Sequence, residues 1–79
     1  MARSIAMAPD APVFRAVVTV TRPDGTSWDK CEGPYEAASA AKARVTYWVN
    51  RYGPTDQAQP GDWHAHGHVE RGEVTWSRV

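Results

Sequence analysis

The chain has no leucine, a single cysteine, no long apolar run and no net charge, and each of these shortages excludes something. With Cys31 alone, no internal disulfide can form, so a disulfide-stapled scaffold is ruled out and a reducing, cytoplasmic location is expected. No stretch nears the roughly 18 apolar residues of a membrane-crossing helix, and the opening MARSIAMAPDAP lacks the apolar core of a secretory leader, so no membrane partner is expected. Nine basic side chains balance nine acidic ones, so there is no general pull toward polyanions or anionic lipid. Any nucleic-acid contact has to come from a local patch.

What remains for a core is valine, alanine and the aromatics: four tryptophans, three tyrosines and one phenylalanine. Arginine outnumbers lysine seven to two and alanine is abundant, a composition associated with GC-rich bacterial or phage genomes. At 79 residues the chain fits one domain, small enough that its stability is marginal. Residues 1–12 mix small residues with two prolines and show no period, which reads as a disordered N-terminal arm ahead of a domain over residues 13–79.

From Val13 to Thr21 the segment VFRAVVTVT is β-branched, and RPDG follows it. Pro23 presets the second turn position, and Gly25 supplies the positive φ of a type I turn with a G1 bulge. In that register Val20 faces Trp28. Phe14, Ala16, Val18, Val20 and Trp28 then share one face, with Val13, Arg15, Val17, Thr19, Thr21, Asp29 and Cys31 on the other. Gly33 and Pro34 read as the end of this hairpin and the opening of a helix over residues 34–52, with Glu36 near its positive end. Its stripe of Ala38, Ala41, Val45, Trp48, Val49 and Tyr52 has a 3.6-residue period, and Gly53 followed by Pro54 stops it.

Residues 63–79 alternate again around Arg71-Gly72, which reads as the turn centre of a second hairpin pairing Val69 with Val74 and Gly67 with Trp76. Trp63, Ala65, Gly67, Val69, Val74 and Trp76 would face the helix. The expectation is a two-layer α+β domain: a four-stranded, mostly antiparallel sheet with one helix on one face, in the order ββαββ. The first strand, the most apolar, is expected at the centre, and pairing of the first and third strands gives the order 2-1-3-4.

His64, His66 and His68 alternate along one strand and emerge on the face away from the helix, consecutive ones about 6.6 Å apart. Two of them, His64 and His66, suit zinc or a similar divalent ion, with Asp62, Glu70 or Glu73 to complete a mixed N/O site; a third histidine about 13 Å from the first cannot share it. The same alternation equally suits a solvated face on an edge strand. A partner contact through imidazoles would be pH-sensitive. Lys42, Arg44 and Arg51 on the helix, with Arg22 and Arg71 at the hairpin tips and Tyr47 between, sketch a phosphate-tracking surface, though solvated positions explain them as well. Cys31 as a nucleophile needs an adjacent base and a lowered pKa, and the chain offers no oxyanion loop.

No catalytic constellation stands out, so the expected function is that of a small non-enzymatic interaction or accessory module. Its partner is another protein or a second copy, bound through a sheet edge or the helix-distant face. The residues expected to carry the contact are Trp63, His64, His66, His68 and Arg71. Metal binding through His64 and His66, and nucleic-acid binding through Lys42, Arg44 and Arg51, are the alternatives.

Overall fold

The computed structural model describes residues 11–73, 77 and 78. Strands β1 (Val13–Thr21) and β2 (Ser27–Tyr35) form the first hairpin, helix α1 (Ala38–Tyr52) follows, and strand β3 (His64–Gly72) completes an antiparallel sheet of order β2-β1-β3. β1 is central because its buried Ala16, Val18 and Val20 need cover from both neighbours and from the helix.

The first hairpin closes as its residues dictate. Gly25 takes φ 89°, its N–H donates to Arg22 O (2.9 Å), and Arg22 N–H donates to Thr26 O (2.8 Å). Asp24 Oδ1 accepts from both the Thr26 N–H and the Thr26 hydroxyl, locking the turn, and these bonds hold its carboxyl below the usual range. Val20 stands opposite Trp28, as the turn type requires.

β2 runs further than its sequence suggests. Between Ala16↔Glu32 and Phe14↔Tyr35 the register slips by one residue, so Gly33 and Pro34 form a bulge inside the strand instead of starting the helix. Gly33 has φ 146°, and a Cβ there would lie 3.0 Å from the Phe14 carbonyl oxygen. The helix therefore begins four residues later than residue 34, with Ala37 as an N-cap that makes no side-chain bond and no acid in its first turn. Its stop is the expected one: Gly53, at φ 103°, donates its N–H to Val49 O. Ala38, placed on the apolar stripe by its period, is exposed, and contact with the sheet starts at Ala41.

The expected second hairpin is corrected. The element order is ββαβ and the sheet has three strands, not the four of ββαββ. Arg71 and Gly72 are not a turn: they continue β3 and pair with Phe14 and Val13. A two-residue hairpin turn of the primed type needs positive φ, which arginine resists and which Gly72 does not adopt. β1 is nine residues long, so β3 can pair over nine as well, and backbone pairing outweighs a poor turn. The positions expected to form the fourth strand, Val74, Thr75, Trp76 and Val79, lie outside the described residues, as does most of the arm expected over residues 1–12.

Val18, Val20 and Ala65 form the buried centre, with Trp28, Val45, Trp48, Val49 and Tyr52 packed around it. Each fully buried valine is worth about 1.5–3 kcal/mol, so a few such residues decide whether a domain this small folds. The helix lies over β1 and β3 more than over β2. Gly67 of β3 permits this: Val45 Cγ1 sits 2.9 Å from where its Cβ would be. The space over Gly67 is thus occupied by the helix. No helix among the described residues is long and apolar enough to cross a membrane.

Candidate functional site

The face away from the helix is a grid set by the two registers. Thr21 lies between Ser27 and His64, Thr19 between Asp29 and His66, Val17 between Cys31 and His68, and Arg15 pairs with Glu70. The strand alternation thus brings His64, His66 and His68 to one face, as expected. Val17, only 7% exposed, is the apolar centre of this grid.

Two polar networks divide the face. At one end the Thr55 hydroxyl, in the 3-10 turn Thr55–Gln57 that follows the helix, lies 2.9 Å from His64 Nδ1 and 3.3 Å from His66 Nδ1. A hydroxyl has one proton, so with neutral rings it donates to one imidazole and accepts from the other. The chain reaches this point because Pro54 bridges to Ala65, whose N–H donates to Gly53 O at 2.8 Å. Sequence reasoning missed Thr55, since only the path of the loop brings it beside the histidines. At the other end Glu70 accepts from Arg15 Nε (2.8 Å) and faces His68 Nε2 (2.9 Å). His68 and Arg15 together hold the Glu70 carboxyl below the usual range. All three side chains are about half exposed, so water screens the pair and its role is to order side chains.

The metal pair His64 and His66 is brought together, but around the neutral hydroxyl of Thr55. Two of the three acids that might complete a site are engaged: Asp62 accepts the Gln59 N–H, and Glu70 holds Arg15 and His68, while Glu73 is exposed beyond the end of β3. Among the described residues no group of three or more His, Cys, Asp or Glu is placed to hold an ion.

The helix arginines do not form one patch. Arg44 donates to both Glu32 oxygens (3.1 and 3.3 Å) and lies over the Tyr47 and Trp48 rings, which commits it to the fold. Lys42 and Arg51 are exposed, Arg51 beside Tyr47 and Asn50. Of the residues expected to meet a partner, Trp63 is 46% exposed yet stacks on Tyr52 at 5.8 Å and meets Trp28 edge-on at 6.2 Å. It caps an aromatic row rather than standing free. Arg71 is exposed in β3, beside Arg15, Glu70 and Cys31 in an open cleft of about 430 Å³ across the end of the sheet.

The second cluster that sequence reasoning missed lies on the helix side of β2. Trp48 Nε1–H and Arg44 both donate to Glu32, Lys30 Nζ lies 4.1 Å from the Trp48 ring centre, and the Arg22 guanidinium covers Trp28 at 4.2 Å. Arg44 first, then Trp48, hold the Glu32 carboxyl below the usual range. The partners are 12 and 16 positions from Glu32, too far apart for any local pattern to announce them.

The edge of β2 completes the candidate surface. Because Arg22 and Thr26 form a hydrogen-bonded pair, alternation assigns the N–H and C=O groups of Trp28, Lys30 and Glu32 to β1 and turns those of Ser27, Asp29 and Cys31 outward. No strand lies beyond β2 among the described residues. On the opposite edge, Ala65 already bonds Gly53. Comparison of the chain with family models, with curated proteins and with solved structures finds no match, so function is argued from this surface.

Proposed function

We propose that the chain is a small non-enzymatic interaction module that binds a protein strand along the edge of β2, with the Val17-centred face beside it as the adjoining surface. What supports this is one observation: a nine-residue strand whose outward backbone groups, at Ser27, Asp29 and Cys31, have no strand to pair with among the described residues. Added strands use such an edge for affinity through main-chain bonds and the alternate side chains for specificity. The polar groups of the open face are bonded to one another, an arrangement that suits recognition rather than turnover.

Panning a random peptide library on the folded chain tests the reading. The outward N–H of residue 31 takes no part in the hairpin, so Cys31→Pro blocks the edge while leaving the ladder to β1 intact. Enriched peptides should bind the wild type, slow amide exchange at Ser27, Asp29 and Cys31, and lose at least about tenfold in affinity for Cys31→Pro, the cost of about 1.4 kcal/mol or more in main-chain bonds. Failure to enrich any peptide, or equal binding to both forms, would sink the proposal.

A further inference from the structure

We infer that the edge of β2 is built to receive a second copy of itself, antiparallel, with Cys31 on the two-fold axis and Lys30 of each chain opposite Glu32 of the partner subunit. The inference rests on the edge-binding proposal and adds its partner and register.

Three constraints select that register. A two-fold axis across two antiparallel β2 strands requires outward-facing residues to meet outward-facing residues, which leaves only alignments centred on a residue facing its own copy. Centring on Asp29 sets two carboxylates face to face, centring on Lys30 sets two ammonium groups together, and centring on Glu32 again opposes two acids. Centring on Ser27, Trp28, Gly33, Pro34 or Tyr35 leaves four or more residues of each nine-residue strand unpaired, whereas centring on Cys31 overlaps the strands fully with an uncharged residue on the axis. It sets Lys30 against the partner's Glu32 twice, in the non-hydrogen-bonded pairs where side chains come closest.

The hydrogen-bond inventory of Glu32 agrees. Its Oε1 accepts from Arg44 Nε and Trp48 Nε1, whereas its Oε2 accepts from Arg44 alone. A carboxylate has about four acceptor sites, so Oε2 keeps one for the partner's lysine. Lys30, lying over Trp48 by a cation–π contact, still has its N–H donors to offer. The helix lies over β1 and β3 more than over β2, and it reaches Lys30 and Glu32 through the side chains of Arg44 and Trp48. Paired this way, two three-stranded sheets become one of six strands in which neither β2 is an edge.

The chain carries its own probe, because Cys31 is its only cysteine and is exposed. In the inferred register the two Cys31 Cα atoms lie about 5.5 Å apart. A short bismaleimide should therefore convert the wild type to a covalent dimer, and Cys31→Ser should give none. Sedimentation equilibrium from about 10 μM to about 1 mM, the range suited to a small interface, should show a monomer–dimer equilibrium. Lys30→Glu should weaken it at least about tenfold, as should Glu32→Lys, and an equimolar mixture of the two variants should recover dimerisation, since both cross-strand pairs are then of opposite sign. Should Glu32→Lys fail to fold for want of its Arg44 bond, cross-linking of the wild type and the Lys30→Glu measurement still decide the matter. A dimer indifferent to Lys30→Glu and inert to bismaleimide overturns the register. A strict monomer whose peptides are still lost on Cys31→Pro overturns self-pairing and leaves the edge as a site for other proteins. A strict monomer that also captures no peptide overturns both.

Discussion

Gly67→Ala is expected to lower the melting temperature by at least about 10 °C, the largest effect of any single methyl group added to this chain. A Cβ at residue 67 would lie 2.6 Å from the Val17 carbonyl oxygen, 2.9 Å from Val45 Cγ1 and 3.2 Å from Val18 Cγ2. The first of these is backbone in the central strand and cannot swing aside, so relief requires β3 or β1 to move. Overpacking of this kind costs about 1–3 kcal/mol and more where backbone must shift, and each kcal/mol is worth about 4–8 °C in a domain this small. Gly72→Ala provides the contrast. Its nearest neighbour would be Val13 Cγ2 at 3.7 Å and its φ is not positive, so a change within about 0.5 kcal/mol is expected. Adding Val45→Ala to Gly67→Ala should restore only part of the loss, because the contact with Val17 O persists. Circular dichroism melts of these variants check all three statements. Equal melting of Gly67→Ala and Gly72→Ala would refute the close approach of α1 to β3.

The same pair of glycines shows how far the sequence was legible. Gly67 and Gly72 stand in one alternating segment, and nothing local tells which is the turn and which is the floor under a helix. Residues 71–72 looked like a hairpin because glycine is a turn former. The deciding fact is non-local: β1 has nine positions to pair, and β3 satisfies more backbone by running straight through Arg71 to Gly72 than by folding back at an arginine. RPDG, in contrast, carries its turn chemistry in four adjacent residues, so the first hairpin and its register were readable. So was the helix stop at Gly53 and Pro54. The helix start was not, because a β-bulge at Gly33-Pro34 uses the same residues as a helix entry.

For the candidate site, alternation was enough to put the three histidines on the face opposite the helix, since a strand has no other option. It was not enough to supply Thr55, which arrives from a loop, or to reveal that Arg44 is engaged by Glu32. A free basic side chain and a paired one have the same one-letter code. The β2 edge was legible only as one of two candidate edges, and it gained definition once the hydrogen-bonded pair at Arg22 and Thr26 fixed which amides turn outward.

Trp48→Ala is expected to remove about 2–3 kcal/mol of stability and, with it, part of the dependence of that stability on pH at the acid end. Trp48 packs against the Val18–Val20–Ala65 centre, stacks on Tyr52 at 6.1 Å and meets Tyr47 edge-on at 5.0 Å. Truncating a fully buried tryptophan costs about 3–5 kcal/mol, and Trp48 is half-buried, which sets the lower figure. Its indole N–H also donates to Glu32, and here the sign matters. The Glu32 carboxyl is depressed below its ordinary value by Arg44 and then by Trp48. A depressed acid contributes stability that is present above its unfolded pKa and is lost as pH falls through the folded one. The wild type should therefore lose stability progressively below about pH 4.5, where unfolded glutamates take up protons. Trp48→Ala leaves Arg44 as the main partner and should make that decline shallower, and Arg44→Ala, which removes the larger contribution, should flatten it further. Urea denaturation between about pH 7 and pH 3 reads both quantities, midpoint and pH slope. A Trp48→Ala chain that is less stable at every pH by the same amount would show that the indole acts through packing alone. A slope that flattens with the loss of either donor would instead tie Lys30, Glu32, Arg44 and Trp48 into one unit, the unit that positions charge along β2.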